Sequence, residues 1–222
     1  MSRWANAVPD RDEQLEIKRK AIIREAAKVF NRRGMHGTTL DEVAERLGVT
    51  KTALYRYVRN KDELLFACHQ EAMEIARECV DQGEAAGRTG LEKIQIGMGG
   101  YLREMIGAMG VPVLILEENA LSEERAAEII AMRDDFEIRM RRLVEEGIRD
   151  GSILPLNPKL AIFILLGAVH WVTKWYSPSG PWSADDVAEA LIELATRGLA
   201  AKPDEILSSA IHRVDLPLSK GS

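Results

Sequence analysis

Side chains that can recognise nucleic acid are concentrated in a four-residue run, Thr50, Lys51, Thr52 and Ala53, which follows shortly after Gly48. A lysine ammonium can donate to O6 and N7 of guanine, which makes Lys51 the best candidate for contact with a base edge. The Thr52 hydroxyl can donate or accept, and its methyl group can contact thymine. We therefore predict that this run is the leading end of a helix that reads base edges in a major groove.

A second set of residues has the chemistry of phosphate contacts, which fix orientation without reading sequence. It consists of Tyr55, Arg56, Tyr57 and Lys61. Tyr55 and Tyr57 could equally be core or packing residues. The backbone amides near Thr39, at the start of the preceding helix, offer another phosphate site because helix N-termini attract anions.

The distribution of charge supports a polyanionic partner for the N-terminal segment alone. The whole chain has a formal net charge of −5. Residues 1–62 contain 14 Lys and Arg against 9 Asp and Glu, a net of +5, whereas the remaining 160 residues contain 16 against 26, a net of −10. This asymmetry indicates that one segment meets nucleic acid while the rest does not. A small basic helix pair is also often only a solvated face.

The elements that must position these residues are helices. Apolar residues recur with a helical period along the chain, so we predict an all-α fold of about nine helices. The predicted helices cover about 13–33, 40–47, 51–58, 61–83, 91–109, a short helix from near 112, 123–149, 158–176 and 184–198.

Two short helices joined by a tight glycine turn, with a small residue where they cross, are what a helix-turn-helix requires. Thr39 and Glu42 fit a capping box at the start of the second helix. Ala44 would allow close approach, and Gly48 would make the turn in a left-handed conformation. Thr50 would cap the third helix. Capped amphipathic pairs are common, so the spacing alone leaves a purely structural pair open.

The run from Phe30 to Leu65, FNRRGMHGTTLDEVAERLGVTKTALYRYVRNKDELL, resembles the N-terminal domain of the TetR family. The family usually has an aromatic residue where Met35 stands and Phe where Val58 stands, and both changes are apolar. The resemblance implies a DNA-binding helix-turn-helix domain and an all-helical ligand domain. It also implies a homodimer, formed by the last two long helices, that binds a palindromic DNA operator and is released by a small molecule.

On this basis the chain divides into four predicted regions. They are a flexible tail over 1–12, a helix-turn-helix domain over 13–60, a ligand-binding and dimerisation domain over 61–200 and a C-terminal tail over 201–222.

The ligand domain has two compositional signals, glycines and methionines within its helices. Gly97, Gly99, Gly100 and Gly107 fall on the fifth helix, where each costs about 1 kcal/mol against alanine. They favour tight packing or a helix that leaves room for a ligand. The methionines could line an adaptable pocket or fill an ordinary core. The candidate ligand contacts on inward stripes are Leu102, Met105, Leu114, Met132 and Phe136.

Trp171 and Trp175 form a large apolar ridge, because residues four apart lie on one helix face. The run HWVTKWYSPSG that contains them resembles the FadR-like, acyl-CoA-responsive branch of the TetR family. That resemblance implies an acyl-CoA inducer, with Trp171 and Trp175 as ligand contacts. The alternative is that they pack against the last helix or the dimer partner, and His170 fits a hydrogen-bonded interface histidine.

Other classes of function find little support in the sequence. The histidines His36, His69, His170 and His212 are scattered, without metal spacing or a nucleophile–base arrangement, so we expect no enzyme activity and no cofactor. A regulator of drug efflux, induced by lipophilic compounds, remains the alternative within the same family. The N-terminus has no apolar signal core and no run is long enough to span a bilayer, so we expect a cytoplasmic protein without a membrane partner.

Overall fold

The computed structural model describes residues 10–106 and 121–202, without the side chains of Arg32, Thr173 and Lys174. The described ranges contain eight helices: α1 (Arg11–Gly37), α2 (Leu40–Arg46), α3 (Lys51–Leu54), α4 (Lys61–Ala86), α5 (Gly90–Ile106), α6 (Glu123–Asp150), α7 (Pro158–Trp175) and α8 (Ala184–Leu199). An isolated antiparallel bridge joins Ile153 and Ala200. The all-α fold predicted from the sequence is confirmed. The predicted helix near residue 112, the candidate residue Leu114 and most of both predicted tails lie outside the described residues.

The chain forms two compact units. Of the described residues, the first contains 10–77, 104–106 and 121–136, and the second contains 78–103 and 137–202. This division differs from the predicted boundary after residue 60, because α4, α5 and α6 are long enough to contribute to both units. The predicted functional ranges therefore stay a prediction. Among the helices of the described ranges, none is both long enough and apolar enough to cross a membrane.

The first unit is built on one apolar core that joins α1, α2, α3, the start of α4 and the start of α6. Its most buried members are Ile23, Ala26, Ala27, Val29, Phe30, Val43, Ala44, Leu54, Leu64, Leu65, Cys68 and Ile129. Burying a Leu, Ile or Phe side chain stabilises the fold by roughly 1.5–3 kcal/mol, so this set fixes the three short elements to α1.

α1 is longer than predicted at both ends. Asp10 caps it in a complete capping box, in which its carboxylate accepts from the amides of Asp12 and Glu13 at 2.9 and 2.8 Å. The helical conformation breaks at Gly34, where φ is 70°, and three further residues continue as helix to Gly37. The helix was predicted to end at about residue 33, where this break begins, and glycine is the residue that adopts a positive φ most readily.

The starts of α4 and α6 are held together within the first unit. Asp62 forms an ion pair with Arg125 and accepts a hydrogen bond from the Ser122 amide at 3.3 Å. The Arg125 guanidinium also lies 5.3 Å from the centre of the Phe66 ring. One turn further along α4, burial and, to a smaller extent, the charge of Arg133 together lower the pKa of His69 to about 4.

Glycines in the second unit mark places where helices cross closely. A Cβ at Gly90 would stand 2.2 Å from the amide nitrogen of Gly147, and one at Gly83 would stand 2.5 Å from the carbonyl oxygen of Lys93. On α5, a Cβ at Gly97 would lie 3.3 Å from the carbonyl oxygen of Cys79. Tight packing of α4 against α5 therefore accounts for Gly97.

The ends of α5, α7 and α8 are capped by polar side chains. Asp150 accepts from the Gly90 amide at 2.8 Å at the start of α5. Asn157 caps α7, which begins at Pro158 as predicted. Ser183 and Asp186 close a capping box on α8, which begins as predicted. These caps satisfy amides that have no partner inside their own helix.

Candidate DNA-binding interface

The second helix, α2, begins at a threonine cap. The Thr39 hydroxyl accepts from the Glu42 amide at 3.2 Å, which is the predicted half of the capping box on the Thr39 side. The Glu42 carboxylate lies 3.3 Å from the Arg33 guanidinium. Val43 and Ala44 lie on the buried face of this helix, and this face packs against the core.

The turn between α2 and α3 depends on one glycine. Gly48 has a φ of 65°, as predicted. Its amide donates to the Glu45 carbonyl, and the Val49 amide donates to the Ala44 carbonyl, both at 3.0 Å. This pair of bonds is the Schellman arrangement, which ends a helix where the chain passes through a left-handed residue. The direction in which the chain enters α3 is thereby set.

α3 begins at Thr50, whose hydroxyl accepts from the Ala53 amide at 3.2 Å. The helix was predicted over 51–58 but is regular only over Lys51–Leu54. The chain then tightens, because the amides of Arg56 and Tyr57 donate to carbonyls three residues earlier, at 3.3 and 2.9 Å. Leu54 is completely buried and anchors this short helix to the core.

The predicted DNA contacts fall into two groups by exposure. Six of the nine side chains are exposed: Thr39, Thr50, Lys51, Thr52, Tyr55 and Arg56. Ala53, Tyr57 and Lys61 are half-buried, and Tyr57 packs against the core of the first unit. The exposed members at the start of α3 form a polar surface on a helix that is anchored from behind by Leu54.

Lys51 is held by a residue that the sequence analysis did not single out. Its Nζ atom lies 2.8 and 2.9 Å from the two carboxylate oxygens of Asp41, in the first turn of α2. It also lies 5.9 Å from the centre of the Tyr55 ring. The hydrogen bond and charge of Asp41 raise the pKa of Lys51 above its usual value. The signal for this ion pair in the sequence is an aspartate ten residues before the lysine, on the other side of the Gly48 turn.

Lys61, which was predicted to contact a phosphate, also forms hydrogen bonds within the protein. Its Nζ atom donates to the carbonyl oxygens of Met35 and Thr38, at 2.6 and 3.1 Å. These carbonyls lie at the end of α1, just before α2 begins. Lys61 therefore helps to hold the approach to α2, and its ammonium has one further N–H to offer.

The candidate ligand contacts are distributed over both units. Leu102 is buried in the second unit, and Met105 is buried in the first. Met132 and Phe136 are half-buried residues of α6 in the first unit, and Met132 packs against its core. Their role in ligand binding stays a prediction.

Trp171 and Trp175 lie on an exposed apolar face of α7. We call this the α7 face, and it comprises Leu160, Phe163, Ile164, Gly167, Ala168, Trp171 and Trp175. The exposed fraction reaches 71% for Ile164 and 66% for Trp171. Trp175 contacts Trp182 edge to face, with ring centres 6.4 Å apart. The opposite side of α7, with Ile162, Leu165 and Val169, is buried in the second unit.

A small apolar cavity lies within the second unit, between α5, α7 and α8. Its lining includes Leu91, Met98 and Leu165, and its volume of about 10 Å³ has room for about one water molecule. Two other lining residues bond to each other, since the Gln95 amide donates to the Thr196 hydroxyl at 2.7 Å. Among the described residues, no group of three or more His, Cys, Asp or Glu side chains is placed to hold a metal ion.

Three relatives align with this chain over most of their own length. The transcriptional repressor KstR2 of Mycolicibacterium smegmatis is 24% identical over 206 residues, which is 86% of this chain and 95% of that protein. A TetR/AcrR family regulator from Thermobifida fusca YX-ER1 is 32% identical, with a TM-score of 0.61 over 82% of this chain and 98% of that one. AibR, solved in complex with isovaleryl coenzyme A and operator DNA, is 27% identical, with a TM-score of 0.66 over 80% of this chain and 97% of that one.

Both halves of the chain match family descriptions. Residues 22–68 match the "Bacterial regulatory proteins, tetR family", and residues 87–199 match the "Tetracyclin repressor-like, C-terminal domain". The first match contains the turn at Gly48 and the whole of α2 and α3. These are families of DNA-binding regulators and not of enzymes, and the chain belongs to the TetR family of transcriptional regulators.

Proposed function

We propose that this protein is a homodimeric repressor that binds a palindromic operator through the start of α3 and is released by an acyl-CoA. The observation that carries the proposal is the exposed polar end of α3, held rigidly by the Gly48 turn on one side and by buried Leu54 on the other. Because buried Leu54 anchors the helix to the core, the side chains of its first residues keep their position when they contact base edges.

In this proposal the exposed residues have separate roles. Lys51 and Thr52 face base edges, where their donors and the Thr52 methyl group can distinguish base pairs. Tyr55 and Arg56 contact phosphates and set the orientation of the helix. Lys61 uses one remaining N–H for a phosphate, in addition to its bonds with the carbonyls of Met35 and Thr38.

The α7 face supports the dimer. An exposed apolar surface of this kind marks a protein interface, because contact with a partner removes it from water. Leu194 on α8 is also 73% exposed, so both of the last helices offer apolar side chains. Gly167 and Ala168 lie at the middle of the α7 face, where small residues let a second helix approach closely. We therefore assign Trp171 and Trp175 to the dimer contact in preference to the ligand.

In the proposed dimer, two copies of α3 bind one DNA duplex. Helix-turn-helix dimers bind half-sites about 34–36 Å apart, one turn of DNA, so a two-fold protein requires a palindromic site. Ligand binding would favour a conformation in which this spacing is lost. The ligand must bind that conformation more tightly, or DNA is not released.

The contact between α4 and α6 offers a route from ligand to DNA. Asp62 opens the helix that follows α3, and it is held by Arg125 and the Ser122 amide at the start of α6. Movement at the start of α6 would therefore displace the start of α4. The choice of an acyl-CoA is supported by AibR, which was solved with isovaleryl coenzyme A and operator DNA, and by the tryptophan-containing run at the end of α7.

Calorimetric titration tests the ligand class. Isovaleryl-CoA and longer acyl-CoAs should bind saturably and lower the affinity for a DNA duplex selected from a random pool by the protein itself. Free coenzyme A is the control, since it lacks the acyl group. Saturable binding of lipophilic cations alone would replace the acyl-CoA with the efflux-type inducer.

A further inference from the structure

The ion pair between Asp41 and Lys51 places an acceptor beside a donor at the surface that meets DNA. The two side chains come from the first turn of α2 and the first residue of α3. Both are more than half exposed, at 61% and 56% of the side chain, so the pair is open to a ligand. Each carboxylate oxygen lies within 2.9 Å of Nζ, which keeps the two groups side by side.

The major-groove edge of a G·C base pair has the matching order of groups. Guanine presents the acceptors N7 and O6, and cytosine presents the N4 amino donor next to O6. O6 and N4 are adjacent because they hydrogen-bond to each other within the base pair. A lysine ammonium has three N–H donors and a carboxylate has about four acceptor sites, so each can bind its partner and a base at once.

We propose that Asp41 and Lys51 read one G·C base pair together, with Lys51 donating to guanine O6 and Asp41 accepting from cytosine N4. This inference rests on the proposed binding of DNA by α3. It makes Asp41, an acidic residue, a specificity-determining part of a surface that binds a polyanion. The Tyr55 ring, whose centre lies 5.9 Å from Nζ, is a further neighbour of the ammonium.

The paired reading predicts a ranking of base pairs at one operator position. G·C is preferred because it offers two acceptors to Lys51 and one donor to Asp41. T·A comes second, since thymine O4 and adenine N6 keep the order of acceptor and donor but bring a methyl group in place of N7. C·G and A·T reverse the order and place a donor against the ammonium. Lysine acting alone would not require the donor on the partner base.

The experiment measures binding by fluorescence anisotropy to a duplex selected from a random pool, and to versions of it with each base pair replaced in turn. For the wild-type protein, reversal of the critical G·C pair should weaken binding about 5- to 150-fold, the range for loss of one good base contact. Asp41→Asn should reduce this discrimination severalfold at that position and leave it unchanged elsewhere. Asp134→Asn, on α6, removes the same charge and should behave as wild type.

Either of two results would overturn the inference, and only the second would also contradict the proposed function. If Lys51→Met loses discrimination at this position but Asp41→Asn and Asp41→Ala keep it, the pair is only a surface ion pair and the proposed function stands. If no duplex is enriched, or Lys51→Met also keeps full discrimination everywhere, the proposed placement of α3 fails as well. Urea unfolding of each variant, compared with wild type, shows whether a change in binding comes from loss of folding.

Discussion

The start of α3 and the α7 face are both exposed, but they are built in opposite ways. The start of α3 presents Lys51 and Thr52 to solvent, with Thr50 capping the helix and Asp41 paired with Lys51. The α7 face presents Ile164 and Trp171, whose large apolar surfaces are exposed to water. A polar surface on an anchored helix suits a hydrated, charged partner such as DNA, whereas an apolar one suits a second protein surface.

The two regions also differ in how they depend on the core behind them. α3 has one regular turn, and it keeps its position only because Leu54 is buried and Gly48 fixes the entry of the chain. α7 is an 18-residue helix with its own buried stripe. Changes behind α3 should therefore affect stability and DNA binding together, while changes on the α7 face should affect assembly first.

The largest expected effect is on assembly. Ile164→Glu should shift the dimer to monomers and raise the dimer dissociation constant at least about 100-fold, because two-fold symmetry buries the unpaired charge twice. Sedimentation equilibrium measures this change. Ile130→Glu on α6, at a site 46% exposed, is the matched control and should stay as dimeric as wild type. A dimer unchanged by Ile164→Glu would remove the α7 face from the interface.

The next largest effect is expected on stability, from a change in the core that anchors α3. Leu54→Ala should lower the free energy of unfolding by about 2–5 kcal/mol, since it removes a fully buried side chain and leaves a cavity. Val49→Ala, at a neighbouring residue that is 42% exposed, should change it by less than about 0.5 kcal/mol. Urea unfolding compares the two. Equal effects would mean that Leu54 does not anchor α3.

Acid should weaken the first unit through His69. Its pKa in the folded protein is about 4, below the ordinary value of 6.5, so both states are neutral above pH 6.5. Between pH 6.5 and 4 only the unfolded state takes up the proton, and the free energy of unfolding should fall by about 3 kcal/mol in total. His69→Gln should remove this part of the pH dependence in urea unfolding, while His36→Gln should retain it. An identical pH profile for wild type and His69→Gln would contradict the assignment.

The smallest expected effect is at the turn. Gly48→Ala should cost about 1–2 kcal/mol, because the strain comes from its positive φ and, among the described residues, no atom lies within 4 Å of the added Cβ. Gly48→Asn should cost less, since asparagine tolerates this conformation better. Thermal unfolding ranks the two variants. Equal losses for alanine and asparagine would point to a cause other than backbone strain.

The local structure around α2 and α3 could be predicted because it is encoded in neighbouring residues. Thr39, Thr50 and Gly48 act on amides and carbonyls within five positions, so their types specify caps and a turn. The all-helical fold and the starts of α7 and α8 followed in the same way from period and caps.

Contacts between elements were less accessible to sequence reasoning. The hydrogen bonds of Lys61 with carbonyls 23 and 26 residues earlier, and the pairing of Lys51 with Asp41, depend on how helices meet in space. An apolar stripe such as the α7 face predicts burial, but the sequence does not say whether this chain or another covers it. For the same reason the spacing of Trp171 and Trp175 is compatible both with a ligand contact and with packing at an interface.

The most direct test of the central claim is anisotropy titration of Lys51→Ala with the selected duplex and with a scrambled duplex of the same composition. Loss of a base contact should weaken binding to the selected duplex about 5- to 150-fold and affect the scrambled duplex far less. Arg142→Ala, which removes an exposed cation on α6, should leave the ratio of the two affinities unchanged. Equal losses on both duplexes, or none on either, would contradict the claim that the start of α3 reads base sequence.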